Sequence, residues 1–401
     1  MVWLASVLSK LGRFSPARRA RVVDRDYCCP LPDEFIIEIG NLCNLRCRYC
    51  PTGNRAPIER GMMSLAEFEL IFERVKPYAR TFHLYNFGEP LLNKDLLPII
   101  SLSAGAGIAT HIDSNLTVHD LSDSEAEAIV ASGLNRLVAS IDGASQETYE
   151  LYRIGGSFER ATANLSRLVK ARARLSVTNP DLIWKFLVHA FNEHEMEDAR
   201  RRAKQIGVQI IFDLMDVPLE QYESSLHKKV KAGQKLDLQT AVGSDQARTP
   251  PAESRTPPGS DPPVTAAHEA ECAPPVAAAP AATGSVTGQP PAAAPEVKQS
   301  KSTLPIPITA ISLAPQLYNW CLQPFHTAVI NFNGDLYPCC NVFGPEYALG
   351  NLHRQSLEQI WNNSKTVACR RFLLGYGPPQ QTGSICETLP CSITHKHIDQ
   401  S

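Results

Sequence analysis

The chain has no apolar run near the roughly 20 residues needed to span a bilayer, and its 401 residues carry a formal net charge of only −2. The first absence excludes a transmembrane helix; the second leaves no global field to recruit nucleic acid. Aromatic residues are missing between Glu223 and Gln316, while 15 of the 31 prolines fall within residues 241–316. Such a stretch cannot bury enough apolar area to order itself. Residues 226–316 are therefore expected to form a largely disordered linker, densest in these features at about 240–303, and Cys272 inside it is not expected to be a ligand. No positively charged segment precedes the short apolar stretch at the N-terminus, where Arg13, Arg18, Arg19 and Arg21 come afterwards. That order is wrong for a secretory signal and leaves a packing helix or a weak interfacial anchor.

Cysteine is not scarce. Twelve are present, clustered in metal-like spacings rather than spread as a disulfide framework. This points to a reducing, cytoplasmic setting. Cys43, Cys47 and Cys50 form a C-x3-C-x2-C array with Tyr49 just before the last. No histidine or fourth cysteine follows within thirty residues; the next histidine is His83. Soft thiolates suit iron–sulfur clusters and zinc. Structural zinc takes four protein ligands, whereas three cysteines on a [4Fe–4S] cluster leave one iron open to chelate a small molecule. Cys28 and Cys29 stand apart and read as structural.

The pattern around the array is that of an α/β fold. Apolar segments at 35–39, 81–87, 107–113, 136–141, 182–189 and 208–214 read as strands. They alternate with helical periodicities at 65–75, 94–104, 122–132, 158–174 and 195–205. Ser64 with Glu67 three residues on is a capping box. Six strands alternating with helices imply right-handed crossovers and a parallel sheet, an open (β/α)6 partial barrel over residues 30–225 after an N-terminal extension, 1–29. The array then lies at the C-terminal end of the first strand, where such folds place their sites. Polar residues end the other strands: Gly88 and Glu89, Ser114 and Asn115, Ser140 and Asp142, then Arg153. Each also has an ordinary reading as a turn or solvated residue, and the direction of Lys185 depends on strand register.

Order is expected to resume near residue 317. The segments AVINF and DLYPCC around Asn333-Gly334-Asp335 read as a hairpin, led in by Cys321 and closed by Cys339. Cys386 and Cys391 follow at C-x4-C spacing. Four cysteines saturate one [4Fe–4S] cluster or one zinc ion. Cys340 could replace Cys339, since neighbours on a strand face opposite ways; Cys369, within a helix, is the weaker candidate.

The array closely resembles the signature of the radical S-adenosylmethionine (SAM) enzymes, and the second set resembles the SPASM and Twitch extensions of that family. The resemblance covers residues 30–225 and 317–401, the latter a small cysteine-rich α+β domain. It departs at Phe87, where the family's glycine-glutamate motif has a further glycine, and in the short C-terminal cysteine series, which implies one auxiliary cluster. The resemblance implies that Cys43, Cys47 and Cys50 hold a [4Fe–4S] cluster whose open iron binds SAM. It places Tyr49, Gly88, Glu89, Ser114, Asn115, Ser140, Asp142 and Arg153 around SAM, and Cys321, Cys339, Cys386 and Cys391 around a second [4Fe–4S] cluster. The implied activity is reductive cleavage of SAM by an external one-electron donor such as flavodoxin or ferredoxin. The resulting 5′-deoxyadenosyl radical abstracts a substrate hydrogen. An acceptor cluster favours net two-electron oxidation, of a small molecule such as a sugar or cyclitol, because only about thirty residues precede the core; a peptide or protein maturase is the alternative. A metal-binding scaffold without turnover is the remote one.

Overall fold

The computed structural model describes residues 28–54, 58–215, 220–241, 323–342, 344–373 and 386, and the backbone of 22–23 and 306–307. Cys272, Cys321 and Cys391 lie outside these residues, as does most of the expected linker. The frame is six parallel strands: β1 (Glu34–Ile37), β2 (Thr81–His83), β3 (Ala109–Ser114), β4 (Arg136–Ser140), β5 (Asp181–Val188) and β6 (Gln209–Leu214). They lie side by side in chain order, and the sheet is not closed. The expected α/β partial barrel is the fold observed.

Helices α1 (Leu65–Val75), α2 (Leu96–Gly105), α3 (Asp123–Ala131), α4 (Gln146–Tyr152), α5 (Phe158–Arg174) and α6 (Met196–Ile206) fill the crossovers. Local chemistry sets their ends. Ser64 and Ser122 close capping boxes with Glu67 and Glu125, and Gly207 ends α6 in the left-handed conformation (φ 89°), as a helix C-terminus favours. The short helix α4 has no sequence periodicity to announce it, but Ser145 caps it by accepting the Thr148 N–H.

Alternation along each strand sorts its side chains. Phe35, Ile37, Phe82, Ile112, Leu137, Ala139, Leu182, Trp184, Phe186 and Phe212 join the helices in one buried core. The residues between them turn to the other, inner face. That face is mostly polar: His83, Tyr85, His111, Asp113, Arg136, Ser140 and Lys185.

Two features add to the sequence expectation. The folded core runs past residue 225: helix α7 (Ser225–Lys231) follows, and Gln239 exchanges hydrogen bonds with both backbone groups of Phe212 (3.1 and 2.9 Å). Arg200 also donates to the Ala241 carbonyl at 2.7 Å. These bonds give residues 226–241 partners that apolar content alone would not supply. Val22–Val23 further pairs antiparallel with Ile306–Pro307.

The second concerns the C-terminal hairpin, which joins the barrel's own sheet. Strands β7 (Thr327–Ile330), β8 (Asp335–Tyr337) and β9 (Gly350–Asn351) extend it beyond β1. β7 lies parallel to β1 in the register Glu34↔Thr327 to Ile37↔Ile330. Apolar on both faces, β1 would be a hazardous free edge, and β7 covers it. The segment is fixed elsewhere too. Helices α8 (Leu357–Trp361) and α9 (Ser364–Leu373) follow it. Trp361 Nε1 donates to the Pro30 carbonyl at 2.8 Å, and Asn362 exchanges two 3.0 Å bonds with the Cys29 backbone. Buried Arg370 donates to the carbonyls of Pro324 and Trp361, each at 2.8 Å. Among the described residues no helix is long and apolar enough to cross a membrane.

Candidate active site

The loop after β1 carries Cys43, Cys47 and Cys50, and close backbone packing shapes it. The Asn41 side chain donates to the Glu59 carbonyl (2.7 Å) and accepts from the Gly61 N–H (2.9 Å), pinning both ends. A side chain on Gly53 would strike the Cys47 backbone at 2.4 Å. The loop also reaches the end of α4, where Arg46 N–H donates to the Ile154 carbonyl at 3.0 Å.

Burial pushes the Cys43 thiol up to about 12 and the Cys47 thiol up to about 11, and the neighbouring cysteines push the same way. Thiolates gathered here therefore require a cationic partner. The surroundings already hold donors for sulfur. Leu45 N–H points at Cys43 Sγ (3.4 Å), Asn115 Nδ2 lies 3.7 Å from the same atom, and the Arg153 side chain hydrogen-bonds Cys47. Three thiols on one loop, with donors directed at sulfur, fit a cluster, which spreads its ligands over its corners.

The strand-end residues are brought together, but several serve one another. Gly88 allows a close backbone approach: a Cβ there would lie 2.0 Å from the Gly40 carbonyl oxygen. Glu89 is buried and braces the turn, accepting from Ser114 Oγ (2.7 Å), Asn115 N–H (2.8 Å) and Leu91 N–H (3.1 Å). Its carboxylate thus ties the end of β2 to the end of β3. Asn115 passes the tie to the cysteine loop through Asn44 Oδ1 (3.0 Å). β2 stops at His83, earlier than its apolar content predicts, because the chain then turns to bring Gly88 against Gly40.

Ser140 is buried at the end of β4, in register with Lys185. Asp142 is fully buried; it accepts the Leu187 N–H at 2.8 Å and pairs with Arg153 Nε at 2.6 Å. The Arg153 fork is thereby fixed against Asp142 and Cys47, which makes it a support of the cysteine loop. Breaking this pair from one side leaves a bare buried charge. Arg153→Gln is expected to cost about 3 kcal/mol or more in unfolding free energy, with partial recovery in the Asp142→Asn, Arg153→Gln double variant. Denaturant titration of both variants beside the parent checks this; an Arg153→Gln variant within about 1 kcal/mol of the parent would contradict it.

Sequence reasoning found Tyr49 but missed its wall. Tyr49 stacks on Tyr152 (centroids 6.3 Å apart) and meets Tyr222 edge-on at 5.1 Å. Phe191, Met215 and Leu45 complete the apolar cluster, against which all three cysteines lie. His189 sits in this wall, fully buried, and burial lowers it to about 3, so its ring is neutral. Its Nδ1 accepts the Phe191 N–H at 3.2 Å. The proton therefore resides on Nε2, which has no protein partner among the described residues. The only sequence signal for this wall was aromatic residues in loops after the last strands.

The second cysteine set is described in part. Cys339 and Cys340 are half-buried in the turn after β8 rather than on the strand, so strand alternation does not choose between them. Gln323 holds Cys340 by accepting its N–H (3.0 Å) and donating to its Sγ (3.4 Å). Both cysteines pack against Ile36, Val329, Tyr337 and Val342. Cys369 and Cys386 are both buried and belong to the helix-packed core.

Comparison with known proteins gives two family matches. The radical SAM superfamily matches residues 37–202, and the SPASM iron–sulfur cluster-binding domain matches residues 321–388. The AdoMet-dependent heme synthase of Methanosarcina barkeri is 31% identical over 130 residues, covering 32% of this chain and 37% of that protein. GTP 3′,8-cyclase 3 of Mycobacterium bovis is 26% identical over 199 residues, covering 48% of this chain and 51% of that one. The matches thus span about half or less of these curated relatives. Among solved structures, Streptococcus suis SuiB superposes with a TM-score of 0.53 at 12% identity, over 87% of this chain and 69% of SuiB, a likeness of fold.

Proposed function

Because the chain belongs to the radical SAM superfamily and carries a SPASM iron–sulfur domain, we propose that it is an oxidoreductase removing two electrons from a small polar molecule such as a sugar or cyclitol. Cys43, Cys47 and Cys50 hold the [4Fe–4S] cluster that binds SAM; Cys339 or Cys340, Cys386, Cys321 and Cys391 hold the auxiliary one. When bound, these groups supply a 5′-deoxyadenosyl radical and an electron acceptor, with flavodoxin or ferredoxin as the outside donor. The chain's own residues then bind and exclude water. Leu45, Asn115 and Arg153 orient the cysteine loop, and the Tyr49–Tyr152–Tyr222 wall keeps solvent from it.

One observation carries the oxidative reading. The Cys339–Cys340 turn packs on Ile36, on the same strand that delivers the cysteine loop. A second cluster held there is on hand for a substrate electron. The polar inner face supports a hydrophilic substrate. Anaerobic incubation of reconstituted protein with SAM and dithionite is expected to yield 5′-deoxyadenosine, and its absence would defeat the proposal. A substrate recovered two electrons more oxidised supports oxidation, whereas a cross-linked peptide product would transfer the chain to the maturases.

A further inference from the structure

The inner face of the sheet carries charge where a barrel of this kind ordinarily packs branched aliphatics. Lys185 Nζ reaches from β5 across β4 to Asp113 Oδ2 on β3, at 2.5 Å, and each side chain is only 12% exposed. The Tyr85 hydroxyl hydrogen-bonds the same carboxylate. His83 and His111 lie beneath, ring centroids 5.1 Å apart, and burial keeps both neutral. Buried charge of this sort is costly as mere core, and packing does not account for it.

Its position does. Asp113 immediately precedes Ser114 and Asn115, the latter touching Cys43 Sγ. Lys185 stands opposite Ser140 in register. Tyr85 is two residues before Phe87, whose carbonyl lies 3.6 Å from Cys50 Sγ. The layer is thus one step down the strands from the cysteine loop.

We propose that Lys185, Asp113 and Tyr85 form the substrate subsite, and that it takes a neutral molecule with neighbouring hydroxyl groups; this rests on reading the chain as a radical SAM oxidoreductase. The charge balance argues for neutrality. The basic side chains on the strands' inner face are each matched by a carboxylate: Lys185 by Asp113 and Arg136 by Asp181 (3.1 Å); Arg153 at the rim is matched by Asp142. A polyphosphate or polycarboxylate would need cations not already neutralised. Hydroxyl groups both donate and accept, so they can satisfy an ammonium, a carboxylate and a phenol together.

The test uses the oxidised, SAM-loaded full chain, which without reductant cannot turn over. Calorimetric titration with myo-inositol, D-glucose and D-ribose is expected to show binding of at least one, with GTP and a Gly-Ser-Cys tripeptide binding none or more weakly. Lys185→Met and Asp113→Asn are each expected to weaken that binding at least tenfold while holding the parent's iron and sulfide. If either fails to load iron, Tyr85→Phe, which removes one oxygen atom, carries the same expectation at about threefold. Binding of GTP or the tripeptide in preference to every polyol, no polyol binding at all, or unchanged polyol binding by iron-loaded variants would each overturn the subsite. None of these bears on SAM cleavage: a parent protein that makes no 5′-deoxyadenosine with dithionite defeats the underlying reading, and one that makes it without binding polyol defeats only the subsite.

Discussion

Replacing Cys43, Cys47 and Cys50 together with alanine is expected to abolish 5′-deoxyadenosine formation while leaving about four of about eight iron atoms per reconstituted chain. The three thiols share one loop and one apolar cluster with Leu45, Tyr152, Phe191 and Tyr222. Cys339 and Cys340 lie in a different cluster, around Ile36, Val329 and Tyr337. No described cysteine is lent by one group to the other, so losing one set does not unmake the other's binding surface. The loop itself should survive, because Asn41, Gly53 and Arg46 shape it through backbone contacts that involve no sulfur. The metal-free variant is therefore expected to keep the fold of the metal-free parent, since these backbone contacts do not pass through the thiols. Iron and sulfide analysis with anaerobic product assay reads both halves. Retained SAM cleavage would remove these cysteines from the site, and loss of all iron would show that the two groups assemble as one.

The frame of this protein was legible because its strands and helices announce themselves locally. The Phe35–Ile39 run, the Ser64–Glu67 and Ser122–Glu125 boxes and Gly207 are short-range signals, and each element falls within a few residues of its expected place. What was hidden is long-range. Nothing near Thr327 reveals that its strand pairs with one almost three hundred residues earlier, because parallel pairing leaves no turn to read. The cysteine loop was legible as a spacing; its supports were not. Glu89 and Arg153 have the side chains a ligand would want, and sequence cannot tell whether a neighbouring strand end has already claimed them. Here Ser114, Asn115 and Asp142 have. The face of Lys185 was undetermined for the same reason, since register sets it, and the ion pair with Asp113 places it inside.

Changing Cys339 and Cys340 together to alanine is expected to stop substrate oxidation while SAM cleavage continues. Either thiol alone is an unsafe target, because both are half-buried in the same turn and one could take over from the other. The competing account is that a metal staples this segment and its loss unfolds it. The contacts favour a segment that stays folded without the staple. β7 is hydrogen-bonded into the barrel's sheet, Trp361 and Asn362 grip the backbone of Pro30 and Cys29, and Arg370 is satisfied by carbonyl oxygens and stacks 4.8 Å from the Trp361 ring. None of these requires the turn cysteines. A cleaving enzyme that no longer oxidises is then left with an electron it cannot pass on, and its 5′-deoxyadenosine should appear in excess over product. The measurement is the ratio of the two in a single anaerobic assay, near one for the parent and rising steeply for the double variant as product falls to background. A double variant that lacks the second cluster yet keeps the parent's ratio would remove electron acceptance from that site. A double variant whose thermal midpoint collapses would return the turn to a structural role, against the contacts that hold α8, α9 and β7 in place.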